Sequence, residues 1–253
     1  MKAISSLLLV LVVMSTPPAA AVELDIDDIK LPRGFEIEVY ASVPNARSMA
    51  LGYNDVVFVS NRRASSVYAV VPSGEANPQV IEVARDLNMP NGIAFRDGDL
   101  YVAEIDRILV YRNIMQRFTQ LPAPEVLNIG LPSERHHGWR YIAFGPDGKL
   151  YIAMGAPCNV CERDSEGFAQ VWRMNRDGTG LETFARGVRN TVGFTWHPDT
   201  GEFWFTDNGR DMLGDDEPPD ELNRAARPGL HFGFPYCHAG EILDPEFGIC
   251  RRC

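Results

Sequence analysis

Two histidines and two arginines stand within six residues, in the run Arg135-His136-His137-Gly138-Trp139-Arg140. An imidazole is available as free base near neutral pH and can accept a proton, while a guanidinium can hold an anion or balance negative charge that develops during a reaction. Arg189-Asn190 supplies a second cation with an amide beside it, and Asn91 another amide. Further on, the stretch from Thr206 to Asn223 is acidic, oxygen-rich and contains glycine. Such a stretch suits a hard cation such as Ca²⁺, and it suits a solvated loop equally well; the EF-hand spacing is absent. Cys158-Asn159-Val160-Cys161 could be a redox motif or half a zinc site, yet no second C-x-x-C accompanies it. A disulfide that pins a loop is the better reading for an exported chain. Five cysteines, the others being Cys237, Cys250 and Cys253, leave one over. No glycine-rich phosphate loop, G-x-S-x-G elbow or H-E-x-x-H metal motif is present.

The elements that must position these groups recur along the chain. Ile142-Ala143-Phe144, a Pro146-Asp147-Gly148 turn and Leu150-Tyr151-Ile152-Ala153 read as a β-hairpin. The same pattern appears around Leu51, Phe95 and Trp196, and the four markers are separated by 44, 49 and 52 residues. Ser66–Val70, Arg107–Tyr111 and Gln170–Met174 follow three of the copies as outer strands. Phe35-Glu36-Ile37-Glu38-Val39-Tyr40 alternates as a further strand. Short strands repeating at about 40–50 residues predict an all-β fold, a β-propeller of four-stranded blades. In that fold the segments before the innermost strands crowd round one mouth of the channel, so His137, Arg140, Arg189, Asn190 and Asn91 are expected to converge there. Four blades plus the start of a fifth, from His231 onward, are expected, which reads as a chain that stops early.

Charge and targeting narrow the class. With 34 acidic against 24 basic residues the net charge is −10, which argues against nucleic acid or an anionic membrane surface as partner. Lys2, the apolar run Leu7–Met14, two prolines and Ala19-Ala20-Ala21 form a secretory signal peptide over residues 1–21. The propeller domain would then occupy 22–253, in a periplasmic or secreted protein without a membrane span.

The ordered set His137-Gly138-Trp139-Arg140, Ile142-Ala143-Phe144-Gly145-Pro146-Asp147-Gly148, Ala185-Arg186-Gly187-Val188-Arg189-Asn190, Asp207-Asn208-Gly209-Arg210, Asp220-Glu221-Leu222-Asn223 and His231-Phe232-Gly233-Phe234-Pro235 resembles the soluble pyrroloquinoline-quinone-dependent sugar dehydrogenases, in their sorbosone-dehydrogenase-like branch. The resemblance implies a six-bladed propeller holding pyrroloquinoline quinone and Ca²⁺. It implies that His137 is the general base for oxidation of a sugar or sugar-aldehyde, and that Arg189 and Asn190 contact the cofactor. Arg140 and Asn91 would join them at the mouth. The carbonyls of Gly209 and Arg210 would face the Ca²⁺, with Asp220 and Glu221 in the same loop, although family members carry proline where Arg210 stands. The substrate would be a small sugar and the electron acceptor a cytochrome or quinone. Two other functions share a propeller: a Ca²⁺-dependent gluconolactonase-type hydrolase and a non-catalytic binding module. The first would need carboxylate and amide ligands on the axis, where this sequence places histidine and arginine.

Overall fold

The computed structural model describes residues 26, 28–74 and 76–248. The expected signal peptide, Cys250 and Cys253 lie outside them. Residues 28–39 form one unit with isolated turns, such as Phe35 N–H to the Pro32 carbonyl at 3.2 Å. The strand expected over Phe35–Tyr40 does not form, and Phe35 and Val39 are exposed. Alternation marks a strand only where a neighbouring strand offers its backbone, and none of the described strands pairs with this segment.

The rest is a β-propeller arrangement of four blades. The first contains β1 (Ala46–Leu51), β2 (Val57–Asn61), β3 (Val67–Ser73) and β4 (Ala76–Ala84), paired in that order. The second contains β5 (Ile93–Arg96), β6 (Asp99–Ala103), β7 (Ile108–Tyr111) and, after the one-turn helix α1 (Ile114–Arg117), β8 (Glu125–Leu127). The third contains β9 (Ile142–Phe144), β10 (Leu150–Met154), β11 (Gln170–Met174) and β12 (Glu182–Arg186). In the fourth, three strands are present: β13 (Phe194–Trp196), β14 (Phe203–Asp207) and β15 (Glu221–Ala225). All neighbours within these blades are antiparallel.

Local chemistry accounts for the tight hairpins. Asp97 and Gly98 both have positive φ, 51° and 89°, and Arg96 pairs with Asp99 across them. Such a two-residue turn matches the twist of the strands it joins. In the third blade the Asp147 carboxylate accepts the Lys149 amide at 3.1 Å, and Gly148 takes a φ of 75°.

A blade cannot cover both its faces alone, so the core lies between blades. Phe58, Val67 and Ala69 of the first blade pack with Leu100, Val102 and Leu109 of the second. Tyr101, Ile108 and Val110 pack with Ile142, Leu150 and Ile152 of the third. Between the third and fourth the filling is aromatic: Tyr151 stacks on Phe203 at 5.5 Å and meets Trp196 edge-on at 4.9 Å.

After β15 the chain returns to the third blade before a further hairpin. Strand β16 (Leu230–His231) runs parallel to β12 at the outer edge of the third blade, pairing Ala185 with Leu230. A hairpin of β17 (Cys237–His238) and β18 (Ile242–Leu243) follows. The amides of Gly229 and Phe232 reach the carbonyls of Phe184 and Arg186, so the free edge of β12 captures this stretch.

Candidate functional site

The segments that lead into the innermost strands bond to one another from blade to blade. Arg47 donates to the Asn91 side-chain oxygen at 3.3 Å, and the Asn91 amide donates to the Arg140 carbonyl at 3.2 Å. Gly92 N–H reaches the same carbonyl at 2.8 Å. Between the third and fourth blades, Ala156 N–H donates to the Arg189 carbonyl at 2.7 Å.

His137 sits on this framework with a φ of 48°, in the left-handed region where histidine is tolerated better than most residues. The turn is closed by Gly138 N–H to the Arg135 carbonyl at 3.1 Å, and a Cβ on Gly138 would run into the Glu134 carbonyl oxygen. Behind it, a Cβ on Gly155 would stand 2.6 Å from the His137 Cβ and 3.3 Å from the Asn190 Oδ1. Gly155 therefore allows the base and the amide to approach the same backbone. His137 Nδ1 lies 2.8 Å from the Ala156 carbonyl. A carbonyl only accepts, so Nδ1 carries the proton and Nε2 keeps a lone pair. Burial, then the charge of Arg189 and then His136, push the imidazole down to about 4, against smaller opposing effects of the Ala156 carbonyl and Asp211. At neutral pH the ring is an uncharged base.

Arg189 is 4% exposed and all its donor nitrogens are engaged. Nε donates to the Asn159 carbonyl at 2.8 Å, and Nη2 to the Asn159 Oδ1 at 2.8 Å. Nη1 donates to the carbonyls of Asn208 at 3.1 Å and Gly209 at 2.6 Å. Asp211 lies 3.4 Å from Nη2. Under this layer Asp207, 4% exposed, accepts the amides of Arg189 at 2.8 Å and Asn190 at 2.5 Å. Burial first and the charge of its cross-strand partner Glu221 push the Asp207 carboxyl up to about 7, against the pull of the two amides. The Asn190 carboxamide makes no hydrogen bond among the described residues.

The structure thus brings His137, Arg189 and Asn190 together, while the side chains of Arg140 and Arg210 reach partners elsewhere. Arg140 is fully buried; Nε donates to the Ile105 carbonyl at 3.0 Å and Nη2 to the Pro132 carbonyl at 2.9 Å, while Nη1 has no partner among the described residues. Together with Asn91, Arg140 joins the second blade to the third, a task that sequence position alone does not distinguish from lining the mouth. Arg210 directs its guanidinium to Asp244 at 2.5 Å and Glu246 at 3.1 Å. Asp244 also accepts His238 Nε2 at 2.9 Å. Burial alone would raise the Asp244 carboxyl, but bonds from His238, Arg210 and the amides of Glu246 and Phe247 hold it down at about 2.

The residues expected around calcium do not form a cage. The Gly209 carbonyl already accepts a guanidinium, and Asp220 accepts the Gly209 amide at 2.9 Å. Glu221 accepts the Ala239 amide at 2.6 Å and the Asn223 side chain at 2.8 Å. Among the described residues no three His, Cys, Asp or Glu side chains gather as a metal site. As arranged, these groups do not fit Ca²⁺, because a fixed positive charge lies against the oxygen the ion would need. Of the site groups the Asn190 carboxamide can donate to a carbonyl oxygen and the Arg189 charge favours a negatively charged ligand near it, while the His137 lone pair can accept from a hydroxyl. A cleft of about 450 Å³ lined by Asp220, Glu221, Asn223, His231, Phe232 and Ala239 lies beside β15, and none of the three site residues lines it.

Sequence reasoning passed over Asn159, Asp207 and Gly155 as parts of the site. Asn159 carried a signal, its place inside the C-x-x-C motif. Asp207 is one acidic residue among many, and only its burial sets it apart.

The profile of the family described as Glucose / Sorbosone dehydrogenase matches residues 119–245, half of the 253-residue chain. An uncharacterized protein of Borreliella burgdorferi is 30% identical, over 82% of this chain and 56% of its own length. The chain therefore spans little more than half of that relative. Among solved structures, the PQQ-bound aldose sugar dehydrogenase of Streptomyces coelicolor superposes with a TM-score of 0.63 at 22% identity, covering 81% of this chain and 67% of that one. A putative oxidoreductase (glucose dehydrogenase) from Thermus thermophilus gives a TM-score of 0.63 at 21% identity, covering 83% and 70%. At those identities the two structures bear on the fold, the same propeller architecture. With the blade repeat, the His137 loop and the profile match in agreement, the chain belongs to the glucose/sorbosone dehydrogenase family.

Proposed function

We propose that this chain carries the proton-abstracting part of a quinoprotein dehydrogenase that oxidises the hydroxyl or hydrated-aldehyde carbon of a sugar. The observation that carries the reading is the contact of the Ala156 carbonyl with His137 Nδ1, from which the tautomer of the ring follows. Its Nδ1–H is fixed on the Ala156 carbonyl at 2.8 Å, which leaves Nε2 as an unprotonated acceptor at the mouth. Pyrroloquinoline quinone, present in the Streptomyces coelicolor relative, would supply the hydride acceptor, with Arg189 and Asn190 beside it.

The chain's own residues do the rest. His137 Nε2 takes the proton from the substrate hydroxyl as the carbon gives up its hydride, and the Ala156 carbonyl stabilises the imidazolium that forms. Arg189 stays positive because every one of its donors meets an oxygen, and its field favours negative charge near Asn190. The Asn190 carboxamide is free to donate to a carbonyl or alkoxide oxygen. Asp207 holds the backbone of both residues in register.

The substrate is a small neutral sugar and the setting the periplasm or the extracellular space, in keeping with the disulfide between Cys158 and Cys161. Among the described residues no helix is long and apolar enough to cross a membrane. The test is aldose-dependent reduction of an artificial electron acceptor after reconstitution with pyrroloquinoline quinone. Activity that needs the quinone and is lost in His137→Gln supports the reading. Quinone-independent lactone hydrolysis would replace it.

A further inference from the structure

We propose that Asn159, presented by the Cys158–Cys161 disulfide loop, is a positioning residue that fixes Arg189 against His137. This rests on the function proposed above and adds to it a residue and a covalent constraint.

One residue meets one edge of the guanidinium with two acceptors: the Asn159 carbonyl takes Nε at 2.8 Å and its Oδ1 takes Nη2 at 2.8 Å. Asn159 is itself clamped on the far side. Its Oδ1 also accepts the Asp211 amide at 2.8 Å, and its Nδ2 donates to the Asp211 carbonyl at 3.0 Å. A backbone carbonyl and a side-chain oxygen can serve the same planar fork only if the local φ, ψ and χ angles are held, and a ring closed over four residues restricts them.

The loop also reaches the base. Cys158 and Val160 pack against a small apolar cluster of Ala156, Ala169 and Phe234, and the Ala156 carbonyl is the acceptor for His137 Nδ1. Four consecutive residues, Ala156 to Asn159, therefore hold both the base and its cationic neighbour. The two anchors differ in kind. Ala156 is also tied by its own amide to the Arg189 carbonyl at 2.7 Å, so its position does not depend on the disulfide. Asn159 lies inside the ring and does. Opening the ring should release the Arg189 side chain while the His137–Ala156 bond survives. The charged and titratable groups that act on His137 are Arg189 and His136, which oppose its protonation, and Asp211, which favours it. Loss of Arg189 from its place moves the His137 titration upward.

The experiment follows two nuclei in the full chain by NMR: the Arg189 Nε–H, for its exchange with solvent, and the His137 ring, for its titration midpoint. Four samples are compared: oxidised, reduced with a phosphine, Asn159→Ala and Asn159→Asp, with the backbone amide spectrum recorded to show that the fold persists. Reduction, which releases the Asn159 carbonyl, is expected to speed Arg189 Nε–H exchange about tenfold or more; Asn159→Ala keeps that carbonyl but loses Oδ1 and its clamp on Asp211, and is expected to speed the exchange by a smaller factor. Both should raise the His137 midpoint. Asn159→Asp keeps both acceptors for Arg189 but loses the Nδ2 donor to the Asp211 carbonyl and adds a negative charge, so the Arg189 Nε–H should stay protected while the His137 midpoint rises. In the quinone-loaded enzyme the same changes should lower kcat with little effect on KM. Equal exchange and equal midpoints in all four samples would overturn the proposal. If the nuclei respond as expected but no quinone-dependent oxidation is found, the proposed function fails and the positioning role stands.

Discussion

The guanidinium of Arg189 donates to the carbonyl oxygen of Gly209 at 2.6 Å, bridging the segment before β13 to the turn after β14. A fixed cation against that oxygen repels a second one. Removing the charge in Arg189→Met frees the carbonyls of Asn208 and Gly209, so added Ca²⁺ should raise the melting temperature of the variant more than that of the wild type. Binding at ten times Kd contributes about 1.4 kcal/mol, which calorimetric or fluorescence melting resolves. An equal rise in both proteins would mean that calcium binds without displacing Arg189.

His137 carries the chemistry in the proposed reaction. His137→Gln or His137→Ala should lower turnover by about 10²–10⁴-fold, the usual worth of a general base, with quinone binding retained. Stopped-flow reduction of the bound quinone separates the two effects.

The same imidazole sets a pH profile. Its value of about 4 lies below the ordinary 6.5 because burial and Arg189 disfavour the charged form. The free base is therefore present throughout the neutral range and is lost only as pH falls toward about 4. The rate of quinone reduction should show no histidine-like break near pH 6.5. A break near pH 6.5 in the wild type that is absent from His137→Gln would contradict the arrangement of Arg189 around the base.

Asp207 accepts two backbone amides with its two oxygens. In Asp207→Asn one oxygen becomes an NH₂ group facing an N–H donor. Leaving a buried donor unpaired costs about 1–3 kcal/mol, and urea unfolding of the two proteins should differ by that amount.

Asp244 gives an acid-side signature. Its folded value of about 2 lies below the ordinary 3.8, so the stability it contributes is present above about pH 3.8 and is lost as pH falls toward 2. The unfolding free energy of the wild type should decline through that window, and Asp244→Asn should lack this part of the decline while being less stable at neutral pH, because the buried Arg210 charge loses one of its two carboxylate partners and keeps only Glu246. Urea midpoints from pH 5 to about pH 2 test both statements.

The blade repeat could be read in the amino-acid sequence because it is local. Each hairpin around Leu51, Phe95, Phe144 and Trp196 is specified by short apolar runs and turn residues a few positions apart, and the propeller follows from repeating that unit. The His137 loop could be located directly before β9 for the same reason. What the side chains do there depends on partners far along the chain. Arg140 and Arg189 precede their strands in similar ways, yet one reaches Ile105 and Pro132 while the other reaches Asn159 and Gly209. Only the packed blades decide which carbonyls each guanidinium meets, and a cation goes to the oxygens that desolvation has left without water. Asn159 and Asp207 acquire their roles in the same way. The return of β16 to the edge of β12 was likewise a tertiary outcome, because an open strand edge pairs with whatever backbone comes within reach.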